Sequence, residues 1–308
     1  MAQNYIGVDL SKEWIDIFNP RGGFSRIANT DAALRDFLRT LSTQDFLVFE
    51  ATSLCDHRLL RLASAARVPF HRINPLYGWH FSRSLNLPKT DRVDAKMLAR
   101  MGSERQLEPS VCFDPMRAQL AELNGRRDQL KRMETQEKNR LHKAQCADIK
   151  ADIRTMLRLL ARRIEKAEER IAAFLEGHPE LRMKVRLLET IPGIGRVTAV
   201  ALLSAMPELG RCDRREAASL AGLAPRARES GRWKGRRMIG DGRRHVRRAL
   251  YMAALSAMRH GSFCADFVAR ARAREKPGKV TVIAVARKMV IVANAILREQ
   301  TPFLSKTS

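Results

Sequence analysis

Two hydrophobic periods interleave along the first hundred residues. Tyr5-Ile6-Gly7-Val8-Asp9 is a short apolar run ending on a carboxylate, and residues 13–18 alternate polar with apolar, the period of a strand. Asn19-Pro20-Arg21-Gly22-Gly23 supplies a hairpin turn, and residues 24–28 read as a third strand. Asn29-Thr30-Asp31 then caps a helix whose apolar positions are Leu34, Phe37, Leu38 and Leu41. Phe46-Leu47-Val48-Phe49 is apolar without interruption, as in a strand covered on both faces, and it ends on Glu50. A helix carrying Leu59, Leu60, Leu62 and Ala66 follows, then a strand over residues 68–73 closed by Asn74-Pro75. This order predicts a mixed sheet with helices packed on it, an α/β domain over residues 1–110.

Beyond it the period is helical. Residues 116–176 keep Leu120, Leu123, Leu130, Ile153, Leu157, Leu160 and Ile164 at helical spacing, and residues 126–176 contain no Gly or Pro. As one helix these 51 residues would span roughly 75 Å; a hairpin bending near Cys146 to Asp148 satisfies the pattern equally. A lone pair of long helices leaves much apolar surface to cover, so residues 111–180 are expected to be a coiled-coil spacer between domains and between protomers. Glu176-Gly177-His178-Pro179 marks a boundary, and residues 181–308 read as an all-α domain. In it, helical patterns flank Ile191-Pro192-Gly193-Ile194-Gly195, a helix-hairpin-helix pattern whose Gly193 and Gly195 let backbone N–H groups reach a phosphate. Residues 226–237 are too glycine-interrupted for helix and too basic for core, and read as a loop; residues 246–258 and 263–297 return to helix. The apolar stretch 280–297 contains Arg287 and Lys288, which suits a buried helix better than a membrane span.

Charge changes the picture. The chain of 308 residues holds 57 Lys and Arg against 33 Asp and Glu, a formal charge of +24 that calls for a polyanionic partner, nucleic acid first. The excess is uneven. Residues 1–100 hold 14 basic and 10 acidic side chains, whereas residues 211–248 hold 13 and 4. In that second stretch Arg226, Arg228, Arg232, Lys234, Arg236, Arg237, Arg243 and Arg244 are candidates for phosphates, and Trp233 for stacking on a base. Five scattered cysteines without a CxxC pair offer no zinc site and fit a reducing cytosol, and the N-terminus has no signal-peptide pattern.

The candidate chemistry lies in four acids. Lys89-Thr90-Asp91-Arg92-Val93-Asp94-Ala95 opens a helix, with Thr90 as N-cap and Asp91 in the first turn; Asp91 and Asp94, three apart, share one face. In a mixed sheet the strands of Asp9 and Glu50 can be central neighbours, bringing their carboxylates out beside that helix. Four carboxylates that close do not all ionise without cations, and hard cations with oxygen ligands answer that need. Two such ions would activate the attacking oxygen and stabilise the leaving oxygen of a phosphodiester. By itself, Ser230-Gly231 is an ordinary turn.

These residues carry a resemblance. Gly7-Val8-Asp9-Leu10-Ser11-Lys12, Phe49-Glu50-Ala51-Thr52, Arg72-Ile73-Asn74-Pro75 and the Thr90-Asp91 to Asp94-Ala95 stretch resemble the ribonuclease-H-like fold of Holliday-junction resolvases. More narrowly, they look like the DEDD transposases of the insertion-sequence one-ten family, relatives of Piv-type DNA invertases. The resemblance assigns Asp9, Glu50, Asp91 and Asp94 as catalytic acids holding one or two Mg²⁺ ions, with Mn²⁺ as a substitute. In this family a Gly-Leu-x-Pro segment, here Gly222-Leu223-Ala224-Pro225, precedes a Ser-Gly loop with a nucleophilic serine, and Ser230 occupies that place. The family further implies cutting and rejoining of donor and target DNA through a covalent phosphoserine, guidance by a structured noncoding RNA, and a dimer or tetramer at the nucleoid of the bacterial cytoplasm. Two readings compete: a metal-dependent junction endonuclease with Ser230 a bystander, and a non-catalytic basic DNA-binding protein. The second expects an acid to be missing, and all four are present.

Overall fold

The computed structural model describes residues 3–52, 55–85, 91–110, 113–226, 229–230, 233–234, 238–260 and 263–304; for Asp91, Arg226, Glu229, Ser230, Trp233 and Lys234 it describes the backbone alone. The chain divides into two compact units, Met1–Pro115 and Met116–Ser308.

In the first unit β1 (Asn4–Leu10), β2 (Trp14–Asn19) and β3 (Gly23–Ala28) form an antiparallel meander. Then come α1 (Asp31–Arg39), β4 (Asp45–Glu50), α2 (His57–Ala65), β5 (Phe70–Ile73), α3 (Pro75–Ser84) and α4 (Asp91–Arg105). The five strands lie in the order β3-β2-β1-β4-β5, with β4 parallel to both its neighbours. A strand's side chains alternate between faces, so β1, β4 and β5 are each divided between two cores. Ile6, Val8, Leu10, Ile15, Ile17, Leu47 and Phe49 join Leu34 and Leu38 of α1 and Leu59 of α2 on one face. Tyr5, Phe46, Val48 and Ile73 join Phe81 of α3 and Met97, Leu98 and Met101 of α4 on the other. This mixed α/β architecture is the one expected, with one addition. Asn74-Pro75 does not merely end β5: the Asn74 side chain accepts a hydrogen bond from the Leu76 N–H and Pro75 sits in the first turn, so the pair starts α3. Asparagine as cap and proline at the first helical position are as much a helix start as a strand stop.

In the second unit α5 (Pro115–Lys143) and α6 (Ala147–Glu176) are separate helices with a break at residues 144–146. Leu130 clusters with Leu160 and Ile164, Arg127 pairs with Glu168 at 2.9 Å, and Leu120 shares a core with Ile171 and Leu175. As position rises on one helix its partner falls on the other, so the two form an antiparallel hairpin within one chain. Of the two arrangements open from the pattern, the hairpin is the one adopted. Its base continues into the core built by α7 (Pro179–Glu189), α8 (Arg196–Ala205), α9 (Arg214–Leu220), α10 (Arg244–Arg259), α11 (Ala265–Ala273) and α12 (Gly278–Glu299). The last, α12, is long and apolar enough to cross a membrane, yet Val282, Val285, Ala286, Met289, Val290 and Ala293 are buried in this core. It is the core helix that Arg287 and Lys288 pointed to. The basic stretch after α9 is not a plain loop. Its backbone pairs in two short ribbons, β6 (Pro225–Arg226) with β9 (Met238–Ile239) and β7 (Glu229–Ser230) with β8 (Trp233–Lys234). Strand pairing satisfies backbone groups without asking the glycines to hold a helix.

Candidate active site and nucleic-acid interface

The register of β1 and β4 places two of the four acids. Gly7 pairs with Val48 and Val8 with Phe49, so one step further Asp9 and Glu50 stand side by side at the strand ends, both half-buried. Alternation puts them on the face that carries Tyr5, Phe46 and Val48, the face covered by α3 and α4.

Three close approaches on that face locate α4. A Cβ on Gly7 would lie 1.9 Å from the Ala95 carbonyl oxygen and 2.6 Å from the Ala99 nitrogen, and one on Gly102 would lie 2.7 Å from the Tyr5 ring. Small residues on both partners let the helix backbone rest directly on β1. The contacts step from Tyr5 with Gly102 to Gly7 with Ala95 and Ala99, so α4 runs antiparallel to β1. The next residue of β1 on this face is Asp9, and the next turn of α4 contains Asp91 and Asp94. Asp94 is half-buried; the Asp91 side chain lies outside the described residues, as do Lys89 and Thr90, the expected cap. The cations of α4 turn toward the far strands, Lys96 over the Phe18 ring at 5.8 Å and Arg92 over Phe24 at 5.1 Å.

Two further groups belong to this site and were not singled out from sequence. A Cβ on Gly78 would meet Glu50 Oε1 at 1.9 Å, so α3 presents a side-chain-free position to that carboxylate. Asp16 stands directly opposite Asp9 on β2, only 3% exposed, and takes both its oxygens to Arg26 at 2.8 and 2.9 Å. An acid beside Asp9 is thus neutralised within the sheet, which leaves Asp9 and Glu50 as the pair facing α4. The signal for Asp16 was there: it falls on the polar phase of β2, which α4 covers rather than solvent. On the opposite face, Asp56 is fully buried and accepts from Arg72 Nε at 2.6 Å, tying the start of α2 to β5.

In kind, this donor set suits a hard divalent cation: carboxylate oxygens on adjoining strand ends, with a glycine where a Cβ would fill the space beside one of them. Among the described residues, no three His, Cys, Asp or Glu side chains gather as a metal-binding group; the fourth acid's carboxylate, Asp91's, is outside them.

In the second unit, Ser230 is the last residue of β7 and pairs with Trp233 across the chain reversal. Arg228, Arg232, Arg236 and Arg237 lie outside the described residues, as do the side chains of Arg226, Ser230, Trp233 and Lys234. Arg243 and Arg244 are separated by their surroundings. Arg243 makes a two-pronged pair with Glu208, at 2.6 and 2.7 Å, while Arg244 is exposed at the start of α10. Arg247, unremarked in the sequence, donates from Nη1 to the Gly222 and Asp241 carbonyls, so it laces the segment before β6 to the segment after β9. Gly193 has a packing reason. Its φ is +89°, and a Cβ there would lie 2.5 Å from the Ala253 carbonyl of α10. Gly195, the N-cap of α8, has open space around it.

Residues 6–145 match a DEDD transposase model of the IS110 type, and residues 185–269 match the "Transposase IS116/IS110/IS902 family" model. Along its length the chain is 30% identical to the pilin gene-inverting protein of Moraxella bovis and 29% identical to that of Moraxella lacunata, each over 98% of both chains. An insertion element IS110 protein of Streptomyces coelicolor is 31% identical over 45% of this chain and 34% of its own length. The reading as a non-catalytic binder gives way to a recombinase with a DNA substrate, and a DEDD domain goes with dependence on a divalent metal. With both its units matched and its whole length related to gene-inverting proteins, the chain belongs to the IS110 family of transposases and DNA invertases.

Proposed function

We propose that the protein cuts and rejoins DNA strands by joint action of four carboxylates and a serine. Asp9, Glu50, Asp91 and Asp94 hold one or two Mg²⁺ ions, for which Mn²⁺ substitutes. The observation that carries this is the adjoining placement of Asp9 and Glu50 at parallel strand ends, on the face where α4 begins with the other two acids. When bound, the metal supplies positive charge to the phosphate in the transition state.

Ser230 Oγ is the nucleophile. It forms a bond to phosphorus, the bond from phosphorus to one sugar oxygen breaks, the hydroxyl proton passes to solvent, and the departing sugar oxygen takes up a proton. The broken strand is held as a phosphoserine ester. A sugar hydroxyl of a second strand then reverses the exchange: its oxygen bonds to phosphorus as its proton passes to solvent, and Oγ leaves and takes up a proton. A serine hydroxyl is a poor nucleophile unless the developing charge is held, which is the work of the acids' metal and the surrounding arginines.

In this reading residues 1–110 carry the metal chemistry, residues 111–180 pair protomers, and residues 181–308 hold DNA and the serine. Arg226, Arg228, Arg232, Lys234, Arg236, Arg237 and Arg244 meet phosphates, Trp233 stacks on a base, and Gly195 offers backbone N–H groups at the start of α8. Gly193 and Arg243 support this surface from below. A structured noncoding RNA guides the choice of donor and target, and two or more copies act together. Met133, Met156 and Leu159, exposed on the hairpin of α5 and α6, support pairing through that element. Inversion, the activity in the names of the relatives that match the whole chain, uses the same strand exchange as transposition.

The test is a protein–DNA adduct trapped in denaturant. Wild-type protein with the element's noncoding RNA, DNA bearing the ends of that element and Mg²⁺ should yield it. Ser230→Ala should lose the adduct and keep DNA binding, while Asp91→Ala should keep fold and binding and lose cleavage. A persistent adduct in Ser230→Ala would mean another nucleophile; full cleavage by Asp91→Ala would remove the metal assignment.

A further inference from the structure

Helix α3 enters the chemistry above only through Gly78, yet its outer surface is unusual. Gly78 and Phe81 face inward, and Tyr77, Trp79, His80 and Arg83 face out, with Tyr77 53% and Trp79 51% exposed. The outer groups are already stacked: the Arg83 guanidinium lies 5.0 Å from the Trp79 ring centroid, and the His80 ring meets Trp79 edge-on at 4.9 Å. Beside this ladder, between α3 and α4, a cavity of about 410 Å³ opens. Phe81 and Met101 are among the apolar groups that line it, and its rim carries His71, Tyr77, His80 and Arg105. Among the described residues no carboxylate lines it. Its wall includes Ile73, which pairs with Glu50 in the sheet, so the cavity lies one strand from the active-site acid; Gly78 of α3 touches that acid from the same helix.

The exposed Tyr77 ring, an apolar floor, the Arg105 guanidinium with no acid among the described lining residues, and a volume suited to one flat ring system match a nucleobase with its phosphate. We propose that this cavity receives one unpaired base of the DNA strand being processed, with the Tyr77 ring stacked on the base and Arg105 on the adjoining phosphate. A base inside a duplex does not reach such a cavity, so the strand must be unstacked at this point. Holding it there draws the neighbouring phosphate across Glu50. The inference rests on the reading of Glu50 as an active-site acid.

The experiment is equilibrium binding of the full chain to short DNA duplexes labelled with 2-aminopurine, whose fluorescence drops on stacking. One duplex is fully paired, one has a single unpaired 2-aminopurine, and one has an abasic site in its place. Wild-type protein should prefer the unpaired base to the abasic site about tenfold, the size of one base–aromatic stack, and should quench it. Tyr77→Ala should lose both preference and quenching, and Tyr77→Phe should keep them. Arg105→Ala should lower the slope of log K against log salt by about 0.9. Equal binding of all three duplexes, or an unchanged preference in Tyr77→Ala, overturns the proposal; so does tighter binding of the matching RNA strand. Cleavage of the element's ends by Glu50→Gln is measured alongside. Its loss together with an absent base preference would discard the cavity's role alone, whereas undiminished cleavage would discard the active-site reading beneath it.

Discussion

At the residue scale the site is shaped as much by missing side chains as by carboxylates. Gly78 leaves room for the Glu50 carboxylate, and Gly7 lets α4 down onto β1. The two glycines fail differently when filled. Gly78→Ala puts a methyl group where Glu50 Oε1 now sits, and the far end of a flexible side chain moves at little cost. Thermal unfolding of Gly78→Ala should therefore match wild type within about 1 kcal/mol, while strand cleavage falls tenfold or more, the loss expected when a reacting group is displaced by about 1 Å. A variant that cleaves at the wild-type rate would show that Glu50 works from another rotamer. The Asp16 to Arg26 pair is the quieter contribution at this scale: it removes one negative charge from a row that already has Asp9 and Glu50 in it.

At the element scale α4 is decisive. It is not strongly amphipathic: its apolar positions Val93, Met97, Leu98 and Met101 are interrupted by Arg92, Lys96 and Arg100, and its contact with the sheet depends on Ala95, Ala99 and Gly102 instead. In Gly7→Ala the new methyl group meets helix backbone, which cannot rotate away. That substitution should cost about 1–3 kcal/mol and lower the denaturation midpoint, and it should also abolish cleavage because the start of α4 is lifted from Asp9. Gly22→Ala, whose nearest neighbour is the Asn19 side chain at 3.7 Å, serves as the control that changes little. Unchanged stability in Gly7→Ala would mean that helix and strand are not in the contact described.

At the scale of the whole molecule, two units of different chemistry share one chain. An acid-bearing sheet domain is followed by a basic helical one, and the helical hairpin shares its core with the second. An extended spacer would by itself have separated Ser230 from the acids of its own chain. The helices fold back as a hairpin instead, and complementation between mutant chains tests whether protomers share sites. Mixing Ser230→Ala with Asp91→Ala chains in equal amounts should restore roughly a quarter of wild-type activity if a symmetric dimer builds each site from both chains. No recovery, with mixed dimers demonstrated, would place serine and acids of each site in one chain.

The sequence by itself determined the strand order and, α3 aside, the helix order of the first unit, the places of four acids at strand ends and a helix start, the helical nature of the second unit and the sign of its partner. These are local properties. Period, caps and charge act within a few residues, so Asp9 and Glu50 at strand ends and the basic stretch 211–248 are legible without any contact between distant segments. Helix α3 was hidden because Asn74-Pro75 reads equally as an ending and a beginning, and because Gly78 and four exposed polar or aromatic residues break its apolar stripe. The short ribbons around Ser230 were hidden by their glycines, since two-residue strands leave no period to read. Tertiary structure alone decided which face of the sheet Asp9 and Glu50 share with α4, that Asp16 is buried beneath that helix, and that Arg243 is taken by Glu208 while Arg244 is not. It decided too that residues 116–176 fold back on themselves. Each of these depends on which distant surface arrives at a given residue, and an isolated stretch of chain bears no mark of that.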